Sequence, residues 1–559
     1  MINLYPTILA ISAMGLAILL LSPRIHRAIS AMICAFLLIR FLAWHFTVLP
    51  VATFWQILWG ATFYFFEICN GLSSLCNYFF MSRVISRTEQ ANKYFADKVP
   101  SLTAPTDVFI CTFNEPTSVL EPVVKSALAL KHPDLRVFLC DDGSRDEIRE
   151  FAHRMGAGYI TRSPPKFHAK AGNINNGLKY ITTNGRKPEF LLLLDADFIV
   201  HPNMLERTLG FFTDPKIGIV QTPQFFYNRD PIQNNLKLSG IWFDEQRFFF
   251  SILQPCLDAW GAAFCCGTSA VLRVEALAKA GGMATETVCE DMLTSFKLGD
   301  FGYKSIYLNE QLSVGLAAED INAYQTQRSR WCLGTVQQLF TKYTFWSRTV
   351  NIDLINRLAY FTGANYWITS FPFKVIMCAA PTIYLLTGAG VINCTAFDLV
   401  NYYLSYIAAS LVFTAVYSRN RVLPVITDIA QIIVAPIVIR TAVSTLFSPF
   451  GRPFKVTPKG LDKDKITIQY TFMWPLLAAM CITIFSIVLN ISSYSYLHSD
   501  LGFNINIMWA VYNASVFLLA AGVCVELPGY TPNPEKPEPI IDKVNPLALV
   551  WSLAKYPFL

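Results

Sequence analysis

The sequence predicts a mostly parallel α/β domain set between two groups of membrane-spanning helices, about seven spans in all. Three observations carry this prediction. Of 559 residues, 53% are hydrophobic and only 15% are charged, with mean hydropathy +0.38; soluble domains average about 25% charged. Apolar stretches close to the roughly 20 residues that cross a bilayer recur at both ends of the chain. Between them, from about 105 to 343, short apolar runs alternate with helical stretches, the rhythm of βαβ units.

The elements follow in order. Three spans are expected at 5–21, 28–48 (interrupted by Arg40 and His45) and 51–80 (holding Glu67), making a unit of residues 1–82. Glu67 reads as a functional intramembrane acid, as a partner of Arg40 or as an interface residue, and the sequence does not choose. Basic residues Arg24, Arg27, Arg83 and Arg87 follow the first and third spans, so the amino terminus is placed outside and residue 83 onward in the cytoplasm. Residues 83–345 form the soluble domain, large enough for its own core, with a Trp-, Arg- and Gln-rich segment at 320–347 resembling an interfacial helix. Residues 346–528 hold four more spans, at 366–386, 399–417, 472–491 and 507–525. Within that unit 424–446, which contains Asp428, Gln431, Pro436 and Arg440, reads as an amphipathic helix on the cytoplasmic interface. Reading it as a span would reverse the final topology. Residues 529–559 are expected to be a cytoplasmic tail.

Net charge is +6, spread along the chain. That suits positive-inside loops and argues against a nucleic-acid partner. The 14 cysteines follow no zinc or disulfide spacing. Those in apolar runs, such as Cys34, Cys69, Cys378, Cys481 and Cys524, read as packed thiols. No signal-peptide cleavage pattern follows the first apolar run, which is kept as a span.

Chemistry concentrates where apolar runs meet polar residues. Residues 190–199 (FLLLLDADFI) read as a strand buried on both faces, ending in Asp195 and Asp197 at the carboxyl edge where open α/β sheets place ligands. Two such carboxylates suit a hard divalent cation and, through it, a diphosphate. Residues 107–116 (DVFICTFNEP) bring Thr112, Asn114 and Glu115 to the same edge, with groups able to bond a base or ribose or simply to cap a helix. Residues 136–144 (RVFLCDDGS) end in Asp141 and Asp142, a turn signal when taken alone. Lys170, in the small-residue loop 166–176 (KFHAKAGNINN), suits anion contact or an ordinary helix entry. The Gly-Thr-Ser turn within 261–273 is a candidate acceptor pocket, and its Cys265-Cys266 pair makes an unlikely zinc site.

Two segments look like acceptor chemistry. Residues 288–292 (VCEDM) offer Asp291 as a general base with Glu290 beside it, or a dipole-compensated helix start. Residues 325–331 (QTQRSRW) combine Gln327, Arg330 and Trp331: an amide, a guanidinium that can neutralise a leaving diphosphate, and a ring that can stack on a sugar. An interfacial anchor explains the same residues. The basic loop at 450–460 puts Thr457 and Lys459 within reach of a diphosphate as part of a lid, or merely follows the positive-inside rule.

Taken together, in this order, the motifs resemble those of the bacterial cellulose-synthase-like, processive family 2 glycosyltransferases over about 106–460. The resemblance implies a GT-A, Rossmann-like glycosyltransferase domain inserted in the helical bundle. It implies Mg²⁺ or Mn²⁺ on Asp197 and Asp195, and a catalytic set of Asp291, Glu290 and Arg330. Thr112, Asn114, Glu115, Asp142, Lys170, Asp195, Gln327, Arg328, Trp331, Thr457 and Lys459 would contact substrate. The implied partners are a UDP-glucose donor, a nascent glucan acceptor, the lipid bilayer and accessory secretion subunits. The implied location is the bacterial inner membrane. Cys289 stands where the family's Thr-Glu-Asp motif has Thr. The tail looks too short for a cyclic-di-GMP-binding PilZ domain, and with seven spans the chain looks closer to the curdlan and mixed-linkage glucan synthases. The expected product is therefore a β-1,3-glucan, with β-1,4 or mixed linkage, or single-sugar transfer to a lipid carrier, as alternatives.

Overall fold

Proline and capping residues set where the amino-terminal helices begin. In the computed structural model, which describes residues 4–183, 186–238, 242–419, 421–451, 465–492 and 501–529, three helices open the chain: α1 (Tyr5–Leu20), α2 (Pro23–Thr47) and α3 (Phe54–Met81). Both α1 and α2 carry proline in the first turn, where a missing N–H costs nothing. Thr53 caps α3 by accepting from the Gln56 N–H at 3.2 Å. Glu67 packs against His45, with 2.5 Å between Oε2 and Nδ1. Arg40 instead bonds Thr7 and Asn401, so of the partners open to Glu67 the fold selects His45.

The α/β domain is built on a seven-stranded sheet: β1 (Thr106–Thr112), β2 (Leu135–Asp141), β3 (Gly158–Ile160), β4 (Phe190–Asp195), β5 (Ile217–Gln221), β6 (Ala270–Arg273) and β7 (Lys304–Tyr307). Their order is β3-β2-β1-β4-β6-β5-β7, and every pairing is parallel except those made by β6. The sheet is the mostly parallel one the sequence predicts. β4 shows why its run of leucines is continuous. Phe190, Leu192 and Leu194 enter the core on one face, and Leu191 and Leu193 the core on the other. A strand covered on both sides has no polar face to alternate with.

Three helices of this domain matter for the site: α4 (Ala169–Thr183), α5 (Glu290–Asp300) and α6 (Ile321–Gln337). The chain continues into α7 (Leu354–Thr387), α8 (Ala396–Ser418), α9 (Pro424–Phe447), α10 (Tyr470–Ser492) and α11 (Leu501–Val523). Among the described residues six helices are long and apolar enough to cross a membrane: α2 and α7 to α11. Five of them match expected spans. α1 is a 16-residue apolar helix below that length. α3 is long enough but interrupted by Glu67, Asn70, Ser73, Ser74 and Asn77. α9, expected at the interface, is apolar enough to cross, and its buried side chains extend along its whole length. Much of that apolar surface meets protein. α6 grips α9 through Gln325 Nε2 to the Ile433 carbonyl at 3.3 Å and Ser329 to Thr441 at 2.9 Å.

Candidate active site

The residues expected to form the donor half of the site lie at the carboxyl ends of β1, β2 and β4. Just past β1, Glu115 folds back on its own strand end. Its Oε2 accepts from Thr112 Oγ1 at 2.7 Å and from the Phe113 N–H at 2.8 Å. Arg145 fixes the same turn, donating to the Glu115 carbonyl at 2.7 Å and to Thr112 Oγ1 at 2.9 Å. Asn114 and Phe113 are left exposed, facing a cleft of about 760 Å³ whose wall includes Asp142, Arg145 and Lys166. The flat ring of Phe113 and the amide of Asn114 are the groups available there for a base.

The two aspartates after β2 separate in role. Asp141 is fully buried and holds the turn, accepting from the N–H groups of Gly143 and Arg145 at 2.9 and 2.8 Å. Asp142 lies in the cleft wall and is gripped by Arg162 at 2.6 and 2.7 Å. Arg162 also donates to the Phe167 and Ala169 carbonyls, so it ties the loop before α4 to Asp142. That loop enters α4 through His168 and Ala169, both with positive φ (65° and 39°).

The entry delivers Lys170 to the centre. Its ammonium pairs with Asp195 and donates to the Gly267 carbonyl at 2.7 Å. Asp195 donates its own N–H to Thr268 Oγ1 at 2.9 Å. Asp197, two residues on, is buried at 6% exposure. Burial pulls the Lys170 pKa down, but the charges of Asp195 and Glu290 outweigh it and hold the group above its ordinary value.

The residues expected to form the acceptor half approach from α5 and α6. Gly267 marks where the halves meet. Its φ is +88°, and a Cβ placed there would lie 2.8 Å from Asp291 Oδ2 and 3.6 Å from Lys170 Nζ. Asp291 is the second residue of α5, its Oδ1 accepting from the Met292 N–H at 2.8 Å. Burial raises the pKa of both acids at this helix start, Glu290 up to about 7 with the charge of Asp291 adding to the effect. Cys289 packs its sulfur against α6 where Gly334 has no side chain; a Cβ there would sit 2.4 Å from it. A thiol in place of a threonine hydroxyl therefore serves helix contact, with weak bonds to the Arg330 and Trp331 carbonyls.

Gln327, Arg330 and Trp331 lie half-buried on α6, on the stretch that packs against the start of α5. Arg328, expected among the substrate contacts, is placed against protein. It is buried at 5% exposure and paired with Glu245, its guanidinium 4.3 Å from the Trp331 ring centre. Thr457 and Lys459 lie outside the described residues. Gly267 and Thr268 belong to the Gly-Thr-Ser turn that the sequence offers as an acceptor pocket, whereas Arg145, Arg162 and Glu245 carry the geometry without being singled out by sequence. Only Arg145, four residues after Asp141, had a local signal.

Asp195 and Asp197 are the side chains that would hold a divalent cation, whose charge would offset that of a bound anion. Among the described residues no group of three or more His, Cys, Asp or Glu side chains gathers to hold a metal by itself.

The chain matches two family models. Residues 107–281 match "Glycosyl transferase family 2" and 278–520 match "Cellulose synthase". It is 32% identical over 426 residues to the UDP-forming cellulose synthase catalytic subunit of Pseudomonas fluorescens, covering 75% of this chain and 56% of that protein. It is 28% identical over 493 residues to the UDP-forming cellulose synthase 1 catalytic subunit of Komagataeibacter xylinus, covering 87% and 64%. The chain thus spans less than two thirds of the length of these relatives. Among solved structures, it aligns with a Pyrobaculum calidifontis mannosyltransferase in complex with GDP-Man and Mn²⁺ at TM-score 0.47 and 17% identity, covering 70% of this chain and 99% of that one.

Proposed function

We propose that this chain, which belongs to the cellulose-synthase-like family 2 glycosyltransferases, polymerises glucose from UDP-glucose into a β-glucan and passes the polymer across the membrane. The observation that carries the reading is the convergence on Lys170. One ammonium pairs with the Asp-x-Asp acid Asp195, and the Gly267 backbone it bonds lies against Asp291. Donor and acceptor acids therefore flank one small volume.

In this reading the uracil and ribose lie in the cleft between Phe113 and Asp142, and the diphosphate lies over Asp195 and Asp197. A bound Mg²⁺ or Mn²⁺ there supplies charge neutralisation to the diphosphate. Asp291 takes the proton from the acceptor hydroxyl. The freed oxygen attacks the anomeric carbon from the side opposite UDP, the bond to the diphosphate oxygen breaks, and UDP departs with the electron pair. Lys170 and Arg330 hold the negative charge it carries. Trp331 stacks on the terminal sugar and Gln327 bonds its hydroxyls. Attack opposite the leaving group inverts the α-linked donor to a β product.

The donor choice is supported by the UDP-forming relatives, and polymerisation by the joint presence of the Gln-x-x-Arg-Trp helix and at least six candidate spans. For linkage we infer β-1,3, from the 313–316 and 327–334 contexts that resemble the curdlan branch. The relatives' being cellulose synthases supports the second reading, β-1,4. Purified protein given UDP-glucose and Mg²⁺ tests both. A polymer cut by a β-1,3-specific glucanase supports the first and one cut by a β-1,4-specific glucanase the second. A product of one sugar on a lipid overturns polymerisation itself.

A further inference from the structure

Arg328 stands between two aromatic rings of its own helix. Its guanidinium carbon is 4.7 Å from the ring centre of Tyr324, four residues before it, and 4.3 Å from that of Trp331, three residues after it. These are the spacings at which helical side chains stack. Tyr324 is buried at 2% and Arg328 at 5% exposure, whereas Trp331 is only half-buried. The flat cation therefore sandwiches one side of Trp331 against protein and leaves the rest of the ring available.

What fixes Arg328 comes from another segment. Glu245 pairs with its Nη2, and Asp244 beside it is held by Arg247 at 3.0 Å. Asp230 accepts the Glu245 N–H at 3.4 Å, locking the turn that carries both acids. A small cavity of about 10 Å³ lies among Asp230, Asp244, Glu245, Gln327 and Arg328, roughly the space of one water. Buried polar atoms of three of these residues, Arg328 Nε, Asp244 Oδ1 and Gln327 Oε1, have no protein partner.

We propose that Glu245 and Arg328 are positioning residues for the acceptor: Glu245 fixes the guanidinium, and the guanidinium fixes the plane of Trp331. The inference rests on Trp331 being the acceptor platform. An ion pair whose carboxylate is 28% exposed adds little net stability, and a device that sets a ring plane explains its position better than a stabilising one. A cation this close to a partly desolvated indole face carries a directional interaction that aliphatic packing lacks.

The test combines kinetics with a spectroscopic probe on the full chain in detergent or nanodiscs. Glu245→Gln is expected to lower kcat for glucose incorporation about tenfold, with the KM for UDP-glucose and the affinity for UDP unchanged. Glu245→Asp should recover part of the loss. Placed on Trp331→Ala, the same substitution should cost nothing further. If Glu245→Gln folds poorly, the double variant Glu245→Gln with Arg328→Gln removes both charges and should show the same kcat loss. In protein labelled with fluorotryptophan, the fluorine resonance of Trp331, assigned by its disappearance in Trp331→Phe, should shift in Glu245→Gln. Additive losses with Trp331→Ala, a raised KM for UDP-glucose at unchanged kcat, or an unmoved Trp331 resonance would each overturn the proposal. A wild-type chain that releases no UDP from UDP-glucose defeats the glycosyltransferase reading instead, and the resonance still decides whether the pair sets the ring.

Discussion

The proposed donor and acceptor halves of this site are held by different kinds of structure. Asp142, Asp195 and Asp197 follow strand ends of one sheet, with backbone registers set by continuous ladders. Asp291, Gln327, Arg330 and Trp331 belong to two helices that meet through Gly334 and Cys289, with α6 fastened in turn to α9. A sheet edge is rigid, and its ligands are placed before substrate arrives. A helix pair resting on a membrane-anchored helix can shift as a body, so acceptor geometry depends on contacts far from the chemistry. Substitutions in the donor half should therefore damage nucleotide binding, and those in the acceptor half should damage turnover with binding intact.

The sharpest break of that contrast is Asp291→Asn, expected to cut turnover by roughly 10²–10⁴ as loss of a general base does, while UDP still binds. Next is Asp197→Asn, expected to weaken UDP binding in Mg²⁺ and to remove most of the difference between titrations with and without the cation. Gly267→Ala tests the seam. Its Cβ would intrude on Asp291 Oδ2 at a φ of +88°, so turnover should fall and the unfolding midpoint should drop, with about 1–2 kcal/mol lost to backbone strain alone.

A smaller effect is carried by pH. Burial and the charge of Asp291 push Glu290 up to about 7, so the pair keeps a proton at mildly acid pH and the base is incompletely available. Turnover should rise as pH passes through about 7, and Glu290→Gln, which removes the neighbouring charge, should move that rise to lower pH. The smallest effect is on stability. Asp230 is pushed by burial, then by Asp244 and Glu245, from 3.8 to about 7. A carboxyl raised on folding contributes stability fully present below its unfolded value and lost as pH rises through its folded one. The unfolding midpoint should therefore decline between about pH 4 and 7, and Asp230→Asn should flatten that decline.

The same contrast explains what the sequence reveals. The donor half was legible because a strand buried on both faces is a run of apolar letters, and its end is where the run stops: Phe190–Asp195 is such a run. The family motifs likewise pointed to the acids and to the α6 residues. The partners that hold them were not legible. Arg162 on Asp142 lies 20 residues away, and Glu245 on Arg328 lies 83 away; no local period connects either pair. Arg328 reads as a substrate contact from its place in the sequence, and in the fold it is paired with Glu245 and stacked on Trp331. In the membrane region, hydropathy finds apolar helices but does not say whether lipid or protein covers them, which is why α9 fits an interfacial segment and a span alike.

The most direct measurement of the central claim, that donor binding and acceptor activation are separate halves meeting at Lys170 and Gly267, pairs two readings on one variant. For purified Asp291→Asn, UDP affinity in Mg²⁺ is measured by titration calorimetry, and polymer formed from radiolabelled UDP-glucose is counted. The account predicts wild-type UDP affinity with polymer at background. Polymer output at the wild-type level would contradict it.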